Sequence, residues 1–192
     1  MSKLEWKGGT LLAPVPPALV TCGNMEKPNV LTVAWTGILC SDPPKTYVSV
    51  RPTRYSYALI KESGEFVINV PTVPLARAVD TCGVYSGKDK NKFELCSLTP
   101  EKGFQVAAPT IAESPLSLEC RVTDTVDLGS HTMFIADILC VDVDETLIDE
   151  SGKLCLEKVK LLAYSHGEYY ELGKKLGNFG WSVKKKHTGK RK

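Results

Sequence analysis

The chain has 192 residues, a formal net charge of +2, and 43% hydrophobic and 24% charged residues. That length suits one full β-barrel core with helical additions and is short for two ordinary domains, and no apolar run approaches the roughly 18 to 20 residues of a membrane span. Met1 to Trp6 lack a long apolar core with a small-residue cleavage site, so the reading gives no secretory signal and the cytoplasm by default.

Strand signals dominate in chain order. Pro14, Pro16 and Pro17 punctuate the start, and ALVTC (18–22) reads as a first strand. Gly23, Asn24 and Pro28 then turn the chain into an antiparallel neighbour running from Asn29 to Thr36. Ser41-Asp42-Pro43-Pro44 is turn chemistry, and a strand resumes from Thr46 to Val50. Next come Arg51, Pro52, Thr53, Arg54, Tyr55 and Ser56, two guanidiniums and three hydroxyls at the start of a helix ending near Glu62. A helix N-terminus offers free N–H groups and partial positive charge, and arginine grips phosphate oxygens in a fork, so the segment predicts a phosphate site. Solvated arginines beside a capped helix fit the same residues.

Leu75, Val79 and Cys82 share one face of a short helix that Gly83 is expected to close. Leu116 to Val122 alternates, which predicts a core face of Leu116, Leu118, Cys120 and Val122 and a wet face of Ser117, Glu119 and Arg121. Met133 to Val143 is apolar on both faces, as a central barrel strand or one covered by a partner subunit would be. Residues 1–183 are expected to form one mainly β domain with two or three helices. The lysine and arginine clusters within 184–192 are expected to form a solvated basic tail, and no companion module of basic and aromatic residues supports nucleic-acid binding.

Several chemistries lack their residues. There is no GxGxxG after a strand, and GVYSGK (83–88) is one residue short of a Walker loop and follows a helix. The three histidines make no HExxH, no GxSxG elbow exists, and no metal site is expected. Seven cysteines include no CxxC; the nearest two, Cys82 and Cys96, stand fourteen positions apart, which argues against a zinc ribbon, an iron–sulfur cluster or a thioredoxin-type dithiol. Most are expected to be small buried hydrophobes kept reduced by their compartment.

The block from Asn29 to Leu59, with RPTRYSYALI after a TVAWTG strand and a CSDPP turn, resembles the flavoredoxins and the wider flavin reductase-like family. EFVINVP (65–71), CGVYSGKDKNKF (82–93), SPLSLECRV (114–122) and SHTMFIADI (130–138) extend the likeness over roughly Leu11 to Val143. The resemblance implies a dimeric, Greek-key-like antiparallel split barrel that binds FMN. It places Asn29, Thr32, Val33, Ala34, Trp35 and Thr36 along the flavin edge, where backbone N–H groups and threonine hydroxyls would meet the ring's polar atoms. Ser49, Val50, Arg51, Tyr55 and Ser56 would take the phosphate and ribityl chain. Ser86, Gly87, Lys88 and Lys92 would bring a second basic loop toward the phosphate or a nicotinamide nucleotide, a role in which Lys92 matches the family pattern and Lys88 does not; a solvated charged loop fits the same residues. Cys40 would sit near the ring, either packed, tuning it or forming a mixed disulfide, and His131 would lie close to the site, either packed or catalytic. Trp35 stands where many flavin reductases carry a small serine and agrees better with flavoredoxins.

A flavin does its own redox chemistry, so scarce catalytic side chains are expected. The implied function is an FMN-dependent oxidoreductase that moves hydride or electrons from NAD(P)H or a protein donor to a small acceptor or redox partner. A non-catalytic electron carrier and a non-redox barrel binding a phosphorylated aromatic are the alternatives. HGEYYELGKKLGNFGW (166–181) reads as a terminal strand with a lid or a surface-packed segment, anchored by Tyr169, Tyr170 and Trp181.

Overall fold

The structure, a computed structural model, describes residues 1–184. The basic tail expected at 184–192 therefore lies outside the described residues except for Lys184, which is exposed. The elements, in order, are β1 (Ala18–Gly23), β2 (Pro28–Val33), β3 (Thr36–Ser41), β4 (Pro44–Val50), α1 (Tyr55–Ser63), β5 (Glu65–Asn69), α2 (Ala76–Val84), α3 (Lys92–Leu95), β6 (Pro100–Glu101), β7 (Thr110–Ile111), β8 (Leu116–Asp127), β9 (Thr132–Val143), β10 (Leu162–Ser165) and β11 (Glu168–Glu171).

Seven strands form one antiparallel sheet in the order β2-β1-β5-β8-β9-β4-β3. The two edge strands of that list, β2 and β3, are joined by only Ala34 and Trp35. A two-residue link cannot span a flat seven-stranded sheet, since strands sit about 4.8 Å apart, so the sheet must curl until its edges meet. The seam between β2 and β3 is thus fixed by topology. There Ser49 of β4 donates its N–H to the Trp35 carbonyl at 2.9 Å. A single strand from Asn29 to Thr36, expected from the residue pattern, is corrected to β2, a break at Ala34–Trp35, and β3.

Two packed layers hold the curl. Inside, Val20, Leu31, Val48, Val50, Phe66, Cys120 and Phe134 meet in one cluster closed by Ile60 from α1. Outside, Leu19 and Val30 of β1 and β2 pack against Leu75 at the N-terminal cap of α2, Val79 and Cys82 within it, and Phe93 of α3. Alternation in β1 and β2 sends successive side chains to these opposite layers, and this apolar burial is the main stabilising term. Helix α1 ends at Gly64, whose φ of +68 lets its N–H return to the Ile60 carbonyl at 2.9 Å. Gly83, expected to close α2, lies inside it, and Tyr85 is the cap; a Cβ at Gly83 would stand 3.5 Å from the Thr32 side chain, an ordinary packing distance between helix and sheet.

The predicted two-faced strand at 116–122 holds in part. Ser117 and Glu119, expected wet, are buried, while Arg121 is exposed. A register shift between Glu119 and Cys120 breaks the strict alternation. Glu119 turns into a second polar layer, where it accepts backbone N–H bonds from Phe104, Gln105 and Val106 at 2.6, 2.7 and 2.8 Å. The apolar run from 133 is β9, a central strand between β8 and β4, with Leu139 and Val141 left partly exposed. Near the C-terminus, β10 and β11 form a hairpin, and Tyr164 of β10 bonds back to Val15. Of the seven cysteines, Cys22, Cys82, Cys120 and Cys155 are buried as expected, and all seven are free thiols.

Candidate functional site

A cleft of about 530 Å³ opens at the seam, within the usual ~300–1,000 Å³ of small-molecule sites. One wall is Leu31 to Trp35 from the end of β2 and the break. The opposite wall is Ser49, Val50 and Arg51 at the end of β4, joined by Arg54 and by His131 from the turn before β9. These residues converge because β2, β4 and β9 all reach the seam. Gly83 and Asp80 of α2 and Tyr164 and Tyr169 of the C-terminal hairpin complete the rim.

A smaller cleft of about 290 Å³ adjoins it, with Leu31 and Arg54 shared between the two. It lies between the first turn of α1, with Tyr55 and Ser56, and the loop bearing Ser86, Gly87 and Lys92. Asn29 fixes that geometry from beneath: its amide donates to Ser56 Oγ at 2.7 Å and reaches Cys22 Sγ at 3.4 Å. Gly87 presses so close that a Cβ there would stand 1.9 Å from Asn29 Oδ1 and 3.0 Å from Tyr55 Cδ1.

The electrostatics are one-sided. Lys92 is 4% exposed, yet its Nζ meets only the Cys82 carbonyl, at 3.3 Å. Burial pushes its pKa below the ordinary lysine value, and the nearby Arg54 charge adds to the depression. Among the described residues, the three ion pairs are Lys45–Asp137, Arg121–Glu65 and Lys160–Glu171, so Arg51, Arg54 and Lys92 have no carboxylate partner. A buried cation without a counter-ion is costly, and an anionic group in the small cleft would relieve it. Lys88, on the same loop, is exposed.

His131 is 9% exposed, its Nδ1 lies 2.9 Å from Ser130 Oγ, and its ring centroid is 4.4 Å from that of Trp35. Burial first, then the Arg51 charge, hold its pKa below 6.5, so the imidazole is neutral at pH 7. At this wall Tyr169 donates its hydroxyl to Asp80 at 3.4 Å, and burial followed by the Asp80 charge pushes the phenol up to about 12.

Of the residues singled out in the sequence, Thr32, Val33, Ala34, Trp35, Ser49, Val50, Arg51 and His131 line the large cleft, and Tyr55, Ser56, Ser86, Gly87 and Lys92 the small one. Asn29 supports the small cleft from behind. Thr36 and Cys40 line neither; Cys40 is on the edge strand β3, its thiol 3.4 Å from the Asp42 carbonyl. Both threonine hydroxyls are committed to the backbone, Thr32 to the Val79 carbonyl and Thr36 to that of Tyr47. The expectation that they donate to a ligand ring is therefore corrected: their protons are taken by the backbone, and the Arg51 guanidinium is a side-chain donor among the residues lining the large cleft. The C-terminal residues Tyr164 and Tyr169, and Asp80 and Gly83 of α2, are additions that no local motif announces. Glu119, Cys140 and Asp142 also cluster, but the Glu119 oxygens are already taken by three backbone N–H groups and the Cys140 thiol.

An antiparallel sheet curled until its edges meet, with a basic cleft at the seam, is a split barrel. Residues 11–173 match the model of the flavin reductase like domain, and the chain belongs to that family. The flavoredoxin of Desulfovibrio vulgaris (Miyazaki F) superposes with a TM-score of 0.87 at 34% identity, over 95% of this chain and all of the other. The flavoredoxin from Methanosarcina acetivorans gives 0.86 at 26%, over 96% of this chain and all of the other. An uncharacterised Archaeoglobus fulgidus protein is 42% identical over 130 residues, 68% of this chain and 73% of its own length. Family membership supports a flavin-binding oxidoreductase as the class of function.

Proposed function

We propose that the protein binds FMN and passes hydride or electrons through it from NAD(P)H or a protein donor to a small acceptor or a redox partner. The observation that carries this reading is the pair of adjoining clefts: an elongated ligand with an anionic end and a flat apolar body fits a small basic recess opening into a larger cleft that offers both apolar surface and polar donors. In the small cleft, Lys92, Ser86 and the first-turn N–H groups of α1 would hold the phosphate, with Arg54 at the junction. In the large cleft, Val33, Ala34 and Val50 offer an apolar surface for the ring, Arg51 a charge-assisted donor to its polar edge, and Trp35 an aromatic wall. When bound, the flavin supplies two-electron and one-electron transfer, and these side chains bind and orient it. A neutral His131 can offer or accept a hydrogen bond toward the cleft but cannot add a second positive charge beside Arg51.

Trp35, 41% exposed at the rim, favours a flavoredoxin-like carrier as the second reading, because a bulky aromatic there narrows the approach of a nicotinamide ring. Anaerobic mixing of FMN-loaded protein with NADH or NADPH tests the reductase reading. Bleaching of the visible flavin absorption with multiple turnovers on adding acceptor supports it, whereas no bleaching by either nicotinamide leaves the carrier.

A homodimer is part of the proposal. Ile38 and Leu39 on the edge strand β3 are 67% and 47% exposed, and the extended arms outside the sheet carry Leu4, Trp6, Leu176 and Phe179 to solvent. Such apolar surface is what a partner subunit covers. Sedimentation showing a monomer at micromolar concentration would remove that part. Seven free thiols fit a reducing compartment, so we place the protein in the cytoplasm. No helix among the described residues is long and apolar enough to cross a membrane.

A further inference from the structure

Fourteen positions separate Cys82 and Cys96, yet the fold brings their sulfurs to 3.8 Å. Cys82 is fully buried near the end of α2, in the layer that packs on β1 and β2. Cys96 is half-buried at the cap of α3, its N–H bonded to the Lys92 carbonyl at 3.1 Å. A disulfide needs the sulfurs at about 2.05 Å, so a closure of about 2 Å joins them. The intervening segment carries Ser86, Gly87 and Lys92, and Lys92 is itself bonded to the Cys82 carbonyl. The other cysteines have no such partner: the thiols of Cys22, Cys40, Cys120, Cys140 and Cys155 contact oxygen or nitrogen atoms.

We propose that Cys82 and Cys96 are a reversible dithiol–disulfide pair, oxidised by a hydroperoxide, which clamps the 82–96 segment. Cys96, the accessible thiol, attacks the peroxide as its thiolate: the O–O bond breaks, one oxygen stays on sulfur as a sulfenic acid, and the other leaves as an alcohol or water. Cys82 then attacks the sulfenic sulfur, the S–S bond forms and water departs with the Cys82 proton. Two thiols and one hydroperoxide thus give one disulfide, one alcohol or water and a further water. Burial, then the neighbouring Cys96 charge, push the Cys82 thiol up to about 12, which suits it to the resolving role and protects it from direct attack. The clamp ties the end of α2 to the end of α3 and so orders the loop between them.

Trypsin cuts after Arg77, Lys88, Lys92 and Lys102, so the two cysteines fall on separate peptides, 78–88 and 93–102, joined only if the bond forms. The experiment treats the full chain with hydrogen peroxide, alkylates remaining thiols, digests it without reductant and looks for the linked pair by mass spectrometry. The linked peptides should appear, vanish on adding dithiothreitol, and be absent from Cys96→Ser; hydrogen exchange of residues 85–91 should slow on oxidation and recover on reduction. Cys82→Ala checks the order of events: its Cys96 should accumulate as sulfenic acid, trapped by dimedone. Oxidation of Cys96 in the wild type to sulfinic acid without a linked peptide, or linkage of Cys82 or Cys96 to a different cysteine, overturns the proposal. None of these readouts uses bound flavin, so the outcome is independent of the cofactor reading.

Discussion

Trp35 and His131 hold their ring centroids 4.4 Å apart, tilted by 44°, at the mouth of the larger cleft. One comes from the break between β2 and β3, the other from the turn that opens β9, and the curl of the sheet alone makes them neighbours. The contact excludes water from His131, and Arg51 adds a like charge, so the protonated imidazole is disfavoured on both counts.

That depression has a definite sign in pH. The unfolded histidine titrates near 6.5, and the folded one lower, so between the two values the unfolded chain binds more protons. Stability is full above about 6.5 and falls as pH drops through the folded value. Arg51→Ala should move the His131 midpoint upward, toward 6.5, as read from its ring proton resonances. An unchanged midpoint would mean that Arg51 does not face the ring in solution.

Lys92→Met should separate ligand binding from folding. Removing a charge-assisted phosphate contact costs about 2 kcal/mol, roughly 30-fold in FMN affinity, and leaves riboflavin affinity nearly unchanged. The melting temperature should hold or rise, because a buried cation without a carboxylate is replaced by an apolar chain. Equal losses for both ligands would assign Lys92 a packing role.

At Gly87 the expected defect is steric. A Cβ 1.9 Å from Asn29 Oδ1 forces either the amide or the loop to move, which overpacks the floor of the small cleft. Gly87→Ala should cost about 1–3 kcal/mol in denaturant unfolding and weaken FMN. Wild-type stability together with wild-type binding would show that the loop stands off from Asn29.

Glu119 lines neither cleft and should matter only to folding. Burial tends to raise its pKa, but the N–H groups of Phe104, Gln105 and Val106, with the Cys140 thiol, outweigh that and leave it below 4.5. Its stabilisation is present above 4.5 and is lost as pH falls through the folded value. Glu119→Gln, which turns an amide donor toward backbone donors, should cost about 2 kcal/mol at pH 7 by urea unfolding and flatten the acid limb. A variant as stable as the parent at pH 7 would contradict the three-bond geometry.

Much of the barrel was legible because local chemistry and fold agree there. The pairing of β1 with β2, the helix after the arginine turn, and the long strands β8 and β9 follow from β-branched runs, turn residues and apolar periodicity. The break at Ala34–Trp35 was not, since it is imposed by closure of the sheet and not by a glycine or proline. Glu119 misled for a related reason: its partners are backbone groups of a loop fifteen residues upstream, which no pattern of side chains encodes. The small cleft was readable from RPTRYS and SGKDKNK, but the committed hydroxyls of Thr32 and Thr36 depend on where α2 and β4 lie. Tyr164, Tyr169, Asp80 and the Cys82–Cys96 approach are likewise products of long-range packing.

Calorimetric titration of the flavin-free, folded chain with FMN, and in parallel with riboflavin, bears most directly on the two-cleft reading. The account predicts saturable uptake of one FMN per chain and markedly weaker binding of riboflavin, which lacks the phosphate that Lys92 and the α1 N-terminus would hold. No saturable heat with FMN, or equal affinity for the two, would contradict it.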